Sequence, residues 1–173
     1  IGERSQYFGE GAPNFSVGFI LDDMELSGLG MLGNLFDLNQ IEVFRGPMSS
    51  VFGTNSLAGL ISIRSNNPGD TLRLKSLLSV GTDNYLSLGT MFNLPVNNKL
   101  QFRFSGSILQ SDGFRYNKFK ESSDSNKKDE QFIRVKLNYK PLKNFKVLST
   151  LIYAELDNGY DSWAPDNNTD FHT

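Results

Sequence analysis

The chain of 173 residues has no cysteine and one histidine, His172, next to its last residue. Without thiols it can build neither a disulfide scaffold nor a thiolate metal centre. A lone histidine in that position excludes a His-based triad and a two-His metal site. Charge is scarce as well: Lys+Arg number 17 and Asp+Glu 19, a net charge of −2, so no polyanionic partner such as nucleic acid is indicated. No run approaches the roughly 18 apolar residues of a transmembrane helix, which excludes a single-helix membrane protein. A β-barrel stays open, because its strands alternate and score as only mildly hydrophobic. The chain starts at Ile1 without an initiator Met or a charged-then-apolar leader, so no signal peptide is visible.

What the chain does have is two styles of sequence. Residues 1–69 are Gly-rich, with short apolar pieces FSVGFIL, QIEVF and LISI separated by turn-forming stretches. This is the punctuation of a compact mixed α+β domain with short strands. NNPGD (66–70) reads as a boundary, and residues 70–173 follow a different pattern. LRLKSLLSV, YLSLGTMFNL, LQFRFSGSIL, FIRVKLNYK and FKVLSTLIYA are five strand candidates with a period of two. In the fourth, Ile133, Val135, Leu137 and Tyr139 oppose Arg134, Lys136, Asn138 and Lys140. Each run is about 9 or 10 residues long, enough for a tilted strand to cross a bilayer. A soluble antiparallel sheet with one wet face also alternates, though its strands are usually about 5 or 6 residues long.

The connections separate these alternatives. PVNN (95–98) and PLKN (141–144) are tight turns of one style, and an up-and-down order places them at the same end. The polar segment 110–130 and the stretch from DNGYDSW onward then lie at the other end, with the short GTDN. Short turns on one rim and longer loops on the other is the outer-membrane barrel arrangement. Phe92, Tyr139 and Phe145 toward one rim, with Tyr85, Tyr116 and Tyr153 toward the other, suit aromatic girdles.

The stretch IEVFRGPMSSVFGTNSLAGLISI (41–63) reads as strand, corner, one helical turn, loop and strand. Pro47 suits the first position of a helical turn over Met48–Phe52, and Gly53 suits its stop. Together with FILDDMELSG upstream and the strands downstream, it resembles the TonB-dependent outer-membrane receptors. In that family a globular plug fills a large barrel. The matching positions are Phe19–Asp22, Ile41-Glu42-Val43-Phe44-Arg45-Gly46-Pro47, Gly53-Thr54-Asn55 and Ala58-Gly59-Leu60-Ile61-Ser62-Ile63. Asp22-Asp23 stands where the family has Asp-Gly, so a left-handed turn there falls to Asp at a cost. Ala58-Gly59 stands where it has Gly-Gly.

The resemblance implies the last part of a plug (1–69) followed by the first antiparallel transmembrane strands (70–173) of a barrel of about 22 strands. Five strands cannot close, so a fragment is expected. It also implies energy-coupled uptake of a scarce ligand across the Gram-negative outer membrane. An iron–siderophore complex is the expected cargo, with cobalamin or a glycan as alternatives. Outer-membrane lipid and an inner-membrane TonB-type complex are the implied partners, although the family's coupling box is absent from these residues. By the same resemblance Glu42 and Arg45 face carboxylates of the barrel wall as a releasable latch; a structural ion pair or solvated ends is the plainer alternative. Met24, Met31, Asn34, Tyr160 and Trp163 are candidate ligand-facing residues, with ordinary loop packing as their alternative.

Neither a catalytic constellation nor a cofactor motif is present. Ser49-Ser50 lacks the G-x-S-x-G context of a hydrolase elbow, and DNGYDSWAPDNNTD lacks EF-hand spacing. A passive porin-like or structural barrel, and a soluble β-rich enzyme domain, stand as the competing classes.

Overall fold

The computed structural model describes residues 17–27, 35–47, 56, 58–114, 116, 121 and 126–159. The chain forms two compact units that meet between Asn67 and Pro68. In the first unit, β1 (Val17–Leu21), β2 (Met24–Glu25), β3 (Leu38–Arg45) and β4 (Gly59–Ser65) make one sheet in the order β2-β1-β4-β3. The β1–β4 pair is parallel and the other pairs are antiparallel. Its central strands carry the apolar core, Leu21, Leu60 and Ile63, each at most 2% exposed. Among the described residues there is no helix; the turn expected over 48–52 lies outside them.

Asp22 and Asp23 join β1 to β2 as a two-residue hairpin turn, with φ of 48° and 66°. Two left-handed residues in succession give a type I′ turn, whose twist matches the strands it connects. Asp tolerates this conformation better than a β-branched residue, but costs more than the glycine expected at the second position.

In the second unit, β5 (Arg73–Val80), β6 (Leu86–Asn97), β7 (Leu100–Ser111), β8 (Lys128–Leu142) and β9 (Phe145–Leu156) form an antiparallel meander in chain order. The strands outrun the apolar runs in the sequence. Ser111 pairs with Lys128, so both ends of the polar segment 110–130 are strand rather than loop. Backbone pairing needs no apolar side chain, and apolar periodicity cannot see it.

The proline turns also differ from expectation. Pro95 and Pro141 lie inside strands, and the turns are the residue pairs 98–99 and 143–144. Register slips between Pro95 and Asn97, and again between Tyr139 and Leu142. Proline cannot donate to the ladder, so it sits where a bulge already interrupts the pairing. At the opposite end Tyr85 N donates to Thr82 O at 3.0 Å, with Asp83 and Asn84 at φ of 55° and 52°.

Asn93 anchors the chain where it enters this sheet. Its amide donates to Gly69 O (2.8 Å) and Thr71 O (2.7 Å). Its oxygen accepts from Gly69 N (3.0 Å) and Arg103 Nη1 (3.3 Å). At 1% exposure, every capacity of this amide is used. Asn93→Ala leaves three backbone groups without these partners, at about 1–3 kcal/mol for each group left buried. The thermal midpoint of the purified protein is expected to fall by roughly 5–10 °C; an unchanged midpoint contradicts the anchor.

Candidate functional site

The corner at Arg45-Gly46-Pro47 is set by how closely β3 approaches β4. Arg45 pairs with Gly59, and Gly46 N donates to Ala58 O at 3.2 Å. Gly46 has φ +99° with open space around its α-carbon. Gly59 has φ +154°, and a β-carbon there would lie 2.5 Å from the carbonyl oxygen of Phe44. Backbone fills the volume a side chain needs, so glycine is required at 59. Ala58 does not share that conformation, which is why the first glycine of the family pair can be replaced.

Glu42 and Arg45 point to opposite faces of β3, because side chains alternate along a strand and three positions separate the two. Glu42 lies across from Ser62 and accepts from Gln40 Nε2 at 2.9 Å. Arg45 shares its face with Ile41 and Val43, 49% and 59% exposed. Its side chain is exposed and forms no salt bridge among the described residues. Pro47 is exposed beside it. The two charges are therefore not one cluster.

Asp22 acts as a clamp. Its Oδ1 accepts from Ser65 N (2.9 Å) and its Oδ2 from Ser65 Oγ (2.5 Å), while its own N–H donates to Ile63 O (3.0 Å). One residue thus ties the β1–β2 turn to the end of β4. These charge-assisted bonds offset the cost of its left-handed backbone. Met24 is 38% exposed on β2. Met31, Asn34, Gly53, Asn55, Tyr160 and Trp163 lie outside the described residues.

The second unit shows a feature that the sequence pattern contained but did not rank. One face carries Leu74, Leu78, Leu88, Phe104, Ile133, Leu151 and Tyr153, all exposed. The other carries Asn93, Gln101, Ser105, Arg134, Lys136 and Asn138, all buried. At these positions polar groups are buried and apolar groups exposed, the reverse of a water-soluble sheet, while the polar face also holds Met91 and Phe132, buried, and Leu77 and Leu148, exposed. Arg103 sits directly across from Lys136, and Ser105 from Arg134, so three cations share the buried face. Arg134 stacks over the Phe132 ring at 5.6 Å. The Asn138 amide donates to Gln101 Oε1 at 2.7 Å, continuing a ladder of buried amides. Alternation had marked these positions as a polar face, but not as a buried one. Among the described residues no group of acidic side chains or histidine could hold a metal ion.

This arrangement has known counterparts. No family model matches the chain. In sequence it is similar to the Vitamin B12 transporter BtuB of Vibrio vulnificus, 27% identical over 145 residues, covering 80% of the chain and 23% of that protein. In fold it is similar to the pyoverdine outer membrane receptor FpvA of Pseudomonas aeruginosa, with TM-score 0.67 and 15% identity over 84% of the chain and 21% of that receptor. The ferric yersiniabactin uptake receptor FyuA of Yersinia pestis aligns with TM-score 0.64 and 23% identity, over 74% of the chain and 20% of that receptor. The chain is thus similar to TonB-dependent receptors, in line with the motifs of residues 15–68. It spans about a fifth of the length of the relatives it matches, which are a transporter and receptors rather than enzymes.

The clamp is testable by a double-mutant cycle. Asp22→Ala and Ser65→Ala are each expected to lower stability by about 1–3 kcal/mol. The double variant should show a coupling of about 1 kcal/mol or more in thermal unfolding of the purified protein; additive losses contradict the clamp.

Proposed function

We propose that the chain forms part of an energy-coupled receptor in the Gram-negative outer membrane, with residues 1–69 as the end of a plug and 70–173 as the first strands of its barrel. The observation that carries this reading is the reversed sheet, apolar outside and polar inside, which follows a small mixed sheet bearing the RGP corner. A water-soluble enzyme domain would expose the opposite face, and a simple porin has no preceding domain of this kind.

The cargo is a scarce metal chelate, an iron–siderophore complex; the structural likenesses to pyoverdine and yersiniabactin receptors support it. The sequence match to a Vitamin B12 transporter supports a second reading, cobalamin. The protein does no covalent chemistry. It captures the ligand at the outer face, then rearranges its plug with energy from a TonB-type complex. Uptake of labelled ferric siderophore that a protonophore abolishes is the expected result. Uptake of cobalamin alone selects the second reading, and uptake insensitive to the protonophore selects a passive barrel.

Arg45 is the latch. Its exposed guanidinium, beside the Gly46 corner, is free to meet a carboxylate of the barrel wall. A partly desolvated ion pair gives register and release more than it gives stability. Glu42, on the other face of its strand, serves a separate contact. Arg45→Glu should raise leak of a large antibiotic several-fold in cells that express the protein; an unchanged leak contradicts the latch.

A further inference from the structure

The polar face of the second unit carries charge of one sign over most of its length. Arg103 lies across from Lys136 on this face, and Arg134 follows two residues along β8. Asn93 stands between Arg103 and Arg73, and Met91 and Ser105 between Lys75 and Arg134, so β5 adds two more cations. Lys140 and Lys146 lie one position beyond the Tyr139–Val147 pair, and alternation returns them to the same face. The acids of β5–β9 are Asp129, Glu130 and Glu155, and of these Glu130 alone shares the face. It sits at the loop end with Lys128, where Asn158 Nδ2 donates to its Oε1 at 2.8 Å. From Phe132 to the turns the strands place cations on this face and no acid.

Such an array costs the fold stability, because like charges directly opposite one another in a sheet repel. Polarity alone does not require it: Asn93, Ser105 and Asn138 make the same face polar without charge. The layout gives the charges a use. On β8 they fall at 134, 136 and 140, a span of about 20 Å at roughly 3.4 Å per residue. Arg73 and Arg103 are level with Lys136, and Lys75 is level with Arg134. Arg73, Lys75, Lys140 and Lys146 are exposed, and Arg103 is half-buried. Positive charge therefore descends from mid-strand to the turn end in rows that one anion can meet in turn.

A surface lined by one sign of charge concentrates ligands of the other sign. A carboxylate or phenolate oxygen that meets an exposed Lys or Arg is held only weakly. Several such sites in sequence pass an anion along, since each binds it well enough to receive it and loosely enough to release it. We propose that this face is a track for an anionic cargo: Arg73, Lys75 and Arg103 receive it at mid-strand, and Lys140 and Lys146 draw it to the turn end. The inference rests on the outer-membrane reading above and narrows its cargo to a metal chelate of net negative charge.

The test compares two radiolabelled probes in energised cells that express the protein as its gene encodes it. One is a ferric tris-catecholate chelate, which is anionic, and the other a ferric tris-hydroxamate chelate, which is neutral. The wild type is expected to take up the anionic chelate roughly tenfold faster. Replacing Arg73, Lys75, Lys140 and Lys146 together with Gln should slow that uptake about fivefold or more. Binding of the same probe to protonophore-treated cells should stay at the wild-type level, because capture precedes the track. A variant with Lys75→Arg, Lys140→Arg and Lys146→Arg keeps every charge and should keep wild-type uptake, which separates charge from assembly. Uptake unmoved by the Gln substitutions, or binding lost together with uptake, overturns the inference. A loss of thermal stability in the Gln variant that matches its loss of uptake assigns these cations to acids of the protein itself and overturns it too. Equal uptake of both probes overturns this inference alone; uptake of neither overturns the function reading with it.

Discussion

A backbone in hydrocarbon has nothing but itself to bond with, and a β-strand presents its two faces to two different media. In the function proposed above, these two constraints govern the second unit. Pairing across β6, β7 and β8 satisfies each strand on both sides, while β5 and β9 each keep one edge unpaired among the described residues. Left open in a bilayer, such an edge costs several kcal/mol per group, so the barrel reading proposed above requires further strands. Once pairing is fixed, the period of two does the rest. Ile133, Val135, Leu137 and Tyr139 go to one face, and Arg134, Lys136 and Asn138 go to the other. An inside-out distribution follows from alternation alone, with no unusual composition.

The first unit works under a different constraint, close approach of backbones. β4 lies between a parallel and an antiparallel partner, and Gly59 must fit beneath the carbonyl of Phe44. Arg45, paired with Gly59, ends its strand there with its side chain exposed. Asp22 closes the other end of β4 through Ser65. A short sheet is thus held at both ends by local geometry rather than by a large core.

Much of this was legible from residues. Alternation in FIRVKLNYK located a strand and both of its faces, and the apolar pieces FSVGFIL, QIEVF and LISI located three strands of the first sheet. Three things were not. Polar strand ends such as Lys128–Glu130 carry no apolar signal, so β8 runs farther than the pattern showed. Grouping Glu42 with Arg45 overlooked an odd spacing that the strand period itself forbids on one face. Arg134 and Lys136 are buried, and a polar position looks the same in sequence whether it meets water or protein.

The central claim is that alternate residues of β8 meet hydrocarbon, and these 173 residues hold no cysteine to compete with a label placed there. Single cysteines placed in turn from Phe132 to Tyr139, spin-labelled in the protein in its membrane, report collision with oxygen and with a polar nickel reagent. The account predicts a period of two, with oxygen access high at 133, 135, 137 and 139 and low at the positions between. A flat profile, or one in which the polar reagent reaches the odd positions better, contradicts it.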